Sequence, residues 1–170
     1  MCDAIVQYRR LLAGERDPEE REAGLKEWGS GEARIASLRL LGPDGDERRQ
    51  YLAGEPIAVA LTLAAERELE PPRLSWQLRD ESSLLLASGS QPLGELGWKS
   101  PGELALRFEI EQPPLVDGRF HLRFGLADDD GERIYHWLDD ALSFVVYPTD
   151  GDRGLMRLDG RWSADIIAIA

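Results

Sequence analysis

Two histidines, one cysteine and a large set of carboxylates are the groups from which this 170-residue chain could build chemistry. Neither His121 nor His136 belongs to an H-E-x-x-H pair, and Cys2 stands alone. That excludes the thiolate-rich and mixed Cys/His zinc spacings, and any disulfide within the chain. There is no G-x-S-x-G elbow to expose a serine nucleophile. A phosphate-cradling G-x-x-x-x-G-K-[ST] loop is absent as well, since the only lysines are Lys26 and Lys99. The run Asp128-Asp129-Asp130-Gly131-Glu132 has the hard oxygens that calcium prefers. Leu126 stands where the EF-hand pattern needs its first acid, so the run reads as a hairpin turn. A glycosidase needs two opposed carboxyl groups, but among 32 acids some pair meets any such distance by chance. The expectation is a chain that is not an enzyme, with no metal and no cofactor.

Non-covalent recognition is better supplied. Trp76 shares the parity of Leu74 and Leu78 and belongs to a core, whereas Gln77, Arg79, His121 and Arg123 occupy the outward parity of two long alternating segments. Tyr135 and Trp137 fall on the outward side if their strand keeps register with Phe144, and Trp98 sits in the loop Gly94–Gly102. A flat ring offers an apolar, electron-rich face to the C–H side of a pyranose, and planar polar groups bind its hydroxyls in pairs. If the two segments are neighbours, Gln77, Arg79, His121, Arg123 and Trp137 form a sugar-sized platform. The alternative is an ordinary solvated sheet face.

Elements that alternate at a period of two must position these groups. Strands are expected over Ala33–Leu41, Ile57–Ala64, Arg73–Arg79, Leu84–Ser88, Glu103–Glu111, Arg119–Ala127, Arg133–Trp137 and Ala141–Tyr147. Asp-Gly pairs at 44–45, 117–118, 130–131, 150–151 and 159–160 supply the positive φ that tight turns require. The fold class is therefore all-β: an antiparallel two-sheet β-sandwich of the immunoglobulin-like or jelly-roll type. Ahead of it, Ile5, Tyr8, Leu11 and Leu12 lie on one face of a short helix, followed by the polar linker Glu15–Glu22. Residues 1–27 are read as helix and linker, and 28–170 as the sandwich. The apolar tail, with Leu155, Met156, Leu158, Trp162 and Ile166–Ile169, either pairs with an edge of its own sandwich or crosses to a neighbouring subunit.

The net charge of −12 and a pI near 4.6 set limits on partners. The basic residues are scattered singly or in short pairs such as Arg48-Arg49, so neither a phosphate backbone nor an anionic membrane surface finds a basic patch. No apolar run is long enough to span a bilayer, and the start lacks a secretory pattern, which together suggest a cytoplasmic protein.

Four runs in order carry a family resemblance: Glu27-Trp-Gly-Ser-Gly-Glu-Ala-Arg-Ile35, Gly54-Glu-Pro-Ile-Ala-Val59, Leu115-Val-Asp-Gly-Arg-Phe-His-Leu122 and Asp139-Asp-Ala-Leu-Ser-Phe-Val-Val146. They resemble the C-terminal domain of Wzt-type ATP-binding subunits, which serve ABC transporters exporting O-antigen and related polysaccharides. The segment Tyr8-Arg-Arg-Leu-Leu12 looks like the stretch that follows the nucleotide-binding domain in that family. The resemblance implies a β-sandwich that recognises the exported glycan at the cytoplasmic face of the inner membrane, with an ATPase half upstream and a permease as its partner. It also implies a homodimer with exchanged C-terminal strands, here beyond about Asp152. No binding residue transfers from the family by identity. Two other classes stay open: a purely structural dimerisation domain of the transporter ATPase, and a small hydrolase with an acid pair in a cleft.

Overall fold

Alternating side chains fold the chain into two stacked sheets whose apolar faces meet. The structure is a computed structural model, and it describes residues 27–149, 151 and 153–164. The expected N-terminal helix and the Ile166–Ile169 end of the tail lie outside the described residues. Among the described residues, strands form at Glu27–Trp28 (β1), Ala33–Leu41 (β2), Gln50–Leu52 (β3), Ile57–Ala65 (β4), Arg73–Asp80 (β5), Leu85–Pro92 (β6), Gly102–Ile110 (β7), Gly118–Ala127 (β8) and Ile134–Tyr147 (β9). A single short 3₁₀ turn interrupts them at Leu93–Leu96.

The larger sheet, A, has the order β1-β9-β8-β5-β6, with β3 added alongside β9, and sheet B has the order β2-β4-β7. The ladders are antiparallel apart from β3, which runs parallel to β9 with Tyr51 opposite Val146. Neither β1 nor β3 was anticipated, because a two- or three-residue strand leaves no period to detect. The two expected segments 133–137 and 141–147 merge into one strand of 14 residues.

Inward parity explains the core. Leu74 on β5, Phe120, Leu122, Phe124 and Leu126 on β8, and Leu142, Phe144 and Val146 on β9 meet Ile35 and Leu40 of β2 and Val59, Leu61 and Leu63 of β4. Phe144 touches Phe120 and takes Tyr51 edge-on at 5.6 and 5.8 Å between ring centres. Burying each such ring contributes about 2–3 kcal/mol. Trp76 packs on Phe108 at 5.2 Å, inward as its parity requires.

The 128–132 run is a hairpin turn. Asp128 accepts the Gly131 N–H at its carbonyl and the Arg133 N–H at its carboxylate, while Asp129 pairs with Arg73 at 2.8 Å. On one flank of the sandwich β2 lies beside β9. On the other, β6 and β7 border an apolar hollow of about 170 Å³ whose walls include Trp76, Leu78, Leu86, Phe108, Ile110 and the tail residue Met156.

The tail begins as an intrachain contact. Met156 bridges Leu115, the Val116 N–H donates to the Leu155 carbonyl, and the Arg157 N–H donates to that of Pro114. Beyond this point Leu158 and Trp162 are 93% and 98% exposed, so Trp162 does not cover a core edge of its own chain.

Candidate functional site

Strands β5 and β8 are neighbours, as the platform requires, with Gln77 opposite Arg123 and Arg79 opposite His121. Their outward side chains converge near the β5–β6 turn in a cleft of about 390 Å³. Arg79, His121 and Arg123 line it together with Asp80, Glu81, Ser83, Asp139 and Asp140.

The cleft owes its far wall to an irregular ladder. Leu122 faces Leu142 and Phe124 faces Leu138, so two steps along β8 are met by four along β9. The excess bulges out opposite Arg123 and carries Asp139 and Asp140. Because the excess is even, parity is unchanged on either side of it. The adjacent carboxylates sit inside an otherwise alternating segment, and that break in period is the signal by which sequence reasoning could have found them.

Gln77 and Trp137 are not presented to a ligand as the platform reading expects. Gln77 is fully buried, and its Oε1 accepts hydrogen bonds from Nε and Nη2 of Arg79 at 3.1 and 2.9 Å. It fixes the guanidinium, whose Nη1 donates to the Ser83 carbonyl at 2.7 Å. Burial lowers the Arg79 pKa from its ordinary value. Trp137 does lie on the outer side of sheet A, but it is only 1% exposed. Its register partner is Gly125, and a Cβ there would sit 2.1 Å from the indole ring. The missing side chain lets the ring lie flat on the sheet, and Trp28 covers it at 6.3 Å. Trp137 thus offers no stacking face. Its Nε1 donates to Asp139 at 2.7 Å and holds that carboxylate at the cleft wall.

Tyr135 and Trp98 are also corrected: both are buried members of the core cluster, 6% and 8% exposed. A register shift between Leu126 and Ala127 leaves Tyr135 without a partner on β8 and turns it inward. These two rings border a wider depression of about 880 Å³ beside Glu68–Pro71 and Lys99. Being core members, they give a ligand there little ring surface.

The electrostatics of the cleft are mixed. Nη1 of Arg123 stands 3.9 Å from Asp139, and Nδ1 of His121 stands 3.7 Å from Asp140. The Ser82 hydroxyl and the Leu84 N–H both donate to Asp80 Oδ1. Chiefly through the Ser82 bond, they hold this carboxyl below its ordinary range. Charged donors and acceptors side by side on a half-exposed surface suit the hydroxyls of a sugar. His136 lies apart, between the sheets. Its Nδ1 accepts the Ile35 N–H of β2 at 2.8 Å and its Nε2 meets Glu27 of β1 at 2.6 Å, a structural clamp. Among the described residues no group of three or more His, Cys, Asp or Glu side chains is placed to hold a metal ion. Nor is any helix there long and apolar enough to cross a membrane.

Comparison with known proteins adds a family. The family model of the Wzt C-terminal domain matches residues 25–158. Among solved structures, the C-terminal domain of wzt aligns with a TM-score of 0.69 at 14% identity, covering 81% of this chain and 87% of that one. A Niemann-Pick type C2 protein from Japanese carpenter ant aligns at 0.41 with 11% identity, covering 71% and 95% of the two chains. An alkylpurine DNA glycosylase, AlkC, of Pseudomonas fluorescens reaches 0.42 at 14% identity, over 69% of this chain and 31% of the other. No match was found among curated protein sequences.

Proposed function

Because the chain belongs to the Wzt C-terminal domain family, we propose that it is a non-catalytic carbohydrate-binding domain that selects a polysaccharide of the O-antigen type for export by an ABC transporter. The observation that carries this reading is the open cleft on sheet A, where Arg79, His121 and Arg123 face Asp139 and Asp140 across β5, β8 and β9. An exposed, shallow site of this kind suits reversible binding of a hydrated chain. Its affinity is modest, because the sugar gives up hydrogen bonds to water nearly equal to those it gains.

The test is a calorimetric titration of the chain with the polysaccharide of its own cell. Saturable binding is expected, weakened about tenfold or more by Arg123→Ala through loss of a charged donor. Arg107→Ala, on sheet B, should leave it unchanged. A flat titration with folded protein overturns the proposal.

In the same reading, the segment before Glu27 joins the domain to an upstream ATPase that works with a membrane permease at the cytoplasmic face of the inner membrane. The exposed Leu158 and Trp162 favour a homodimer in which each tail lies on the other copy. That second feature also favours the alternative reading, a dimerisation domain without glycan recognition. Removing residues 158–170 should turn a dimer into a monomer by light scattering. If glycan binding is absent while dimerisation persists in the full chain, the structural reading replaces the first.

A further inference from the structure

The charge of the cleft restricts which sugar it accepts, an inference that rests on the carbohydrate reading above. Its lining holds four carboxylates, Asp80, Glu81, Asp139 and Asp140, against two guanidiniums, Arg79 and Arg123. Both cations already engage acceptors of the chain itself. Arg79 directs Nε and Nη2 to Gln77 and Nη1 to Ser83, and Arg123 stands 3.9 Å from Asp139. An anionic group entering the cleft must compete with those acceptors, against a local excess of negative charge and an overall charge of −12. A hydroxyl shares the competition for the guanidinium protons but carries no charge to be repelled, and it gains by donating to a carboxylate, which an anion cannot do.

We propose that this cleft reads an uncharged sugar residue, its hydroxyls donating to the Asp139 and Asp140 carboxylates, and discriminates against residues bearing a uronate or phosphate. The carboxylates then act as selectivity groups, and the two arginines as acceptor-held donors that orient the ring.

The experiment is an NMR titration of the ¹⁵N-labelled chain at pH 8 and fixed ionic strength. The probes are the methyl glycosides of glucose, galactose and mannose, the corresponding uronates, and inorganic phosphate. At least one neutral glycoside should move the amides of His121, Arg123, Asp139 and Asp140, with its uronate binding there about tenfold more weakly or not at all. In Asp140→Asn, an exposed position where the fold is not at stake, the uronate-to-neutral affinity ratio should rise about tenfold. A uronate or phosphate that binds these residues as tightly as the neutral glycosides overturns the charge selection and leaves the carbohydrate reading standing. An unchanged ratio in Asp140→Asn also overturns it. If none of the probes moves these amides, both readings fall together.

Discussion

The β4–β7 ladder of sheet B runs nine pairs without a break, from Ile57 opposite Ile110 to Ala65 opposite Gly102. The β8–β9 ladder of sheet A is broken twice, between Leu122 and Phe124 and again between Leu126 and Ala127. Both sheets bury their inner faces in one core, yet their outer faces differ. Sheet B shows small side chains, Ala58, Ala60, Thr62 and Ala64, down its central strand. Sheet A shows a seated indole, two arginines, a histidine and two bulged aspartates. A regular ladder spends every residue on pairing and leaves a uniform surface. The interruptions free residues of β9 from strict pairing, and at the first of them Asp139 and Asp140 are placed beside the arginines.

The contrast can be broken most severely at Gly125. Gly125→Ala drives a Cβ into the Trp137 ring and should lower stability by about 3 kcal/mol in urea unfolding, with an altered near-UV circular dichroism. Ala60→Ser on sheet B should change stability by less than about 0.5 kcal/mol. Next, His136→Ala leaves the buried Ile35 N–H without its acceptor and should cost about 2 kcal/mol, with faster hydrogen exchange at Ile35. Third, Asp80 has a folded-state pKa below its ordinary 3.8, so its stabilising contribution is complete above that value and is lost as pH falls through the folded one. The urea midpoints of the wild type and Asp80→Asn should therefore converge as the pH falls below 3.8. The smallest effect belongs to Arg107→Ala, an exposed residue of sheet B. It should alter stability by less than about 0.5 kcal/mol, and a larger change would mean that this face is not the passive surface described.

Much of this architecture is legible in the residues. The strand β2 forms at its expected bounds, and β4, β5, β7 and β8 differ from theirs by a residue or so, because half-buried strands alternate without ambiguity. That Gln77, Arg79, His121 and Arg123 share an outward face depended on their two strands being neighbours, and the register joins them. Parity, however, reports the side of a sheet and not its cover. Trp137 keeps its outward parity and is still sealed, since its seat, Gly125, lies across the ladder on β8 and its lid, Trp28, comes from a strand far away in sequence. Gln77 is hidden in the same way beneath the guanidinium it holds. The aspartates of the cleft leave only a break in the period of β9, because their placement opposite Arg123 is a property of two strands together that neither strand read alone contains.

Strand β9 receives β1, β3 and β8 along its length, and its pairings with β1 and β3 join residues more than ninety positions apart. During synthesis, therefore, Trp28 has no strand partner until Trp137 has been made, and Tyr51 none until Val146. The β5–β6 hairpin and the β2–β4 pair, by contrast, close early. The margin of sheet A is thus the last part to assemble, and closing loops of that length makes it slow. A chain released before its final strand would keep a half-built sandwich with bare edges, the form most prone to aggregate.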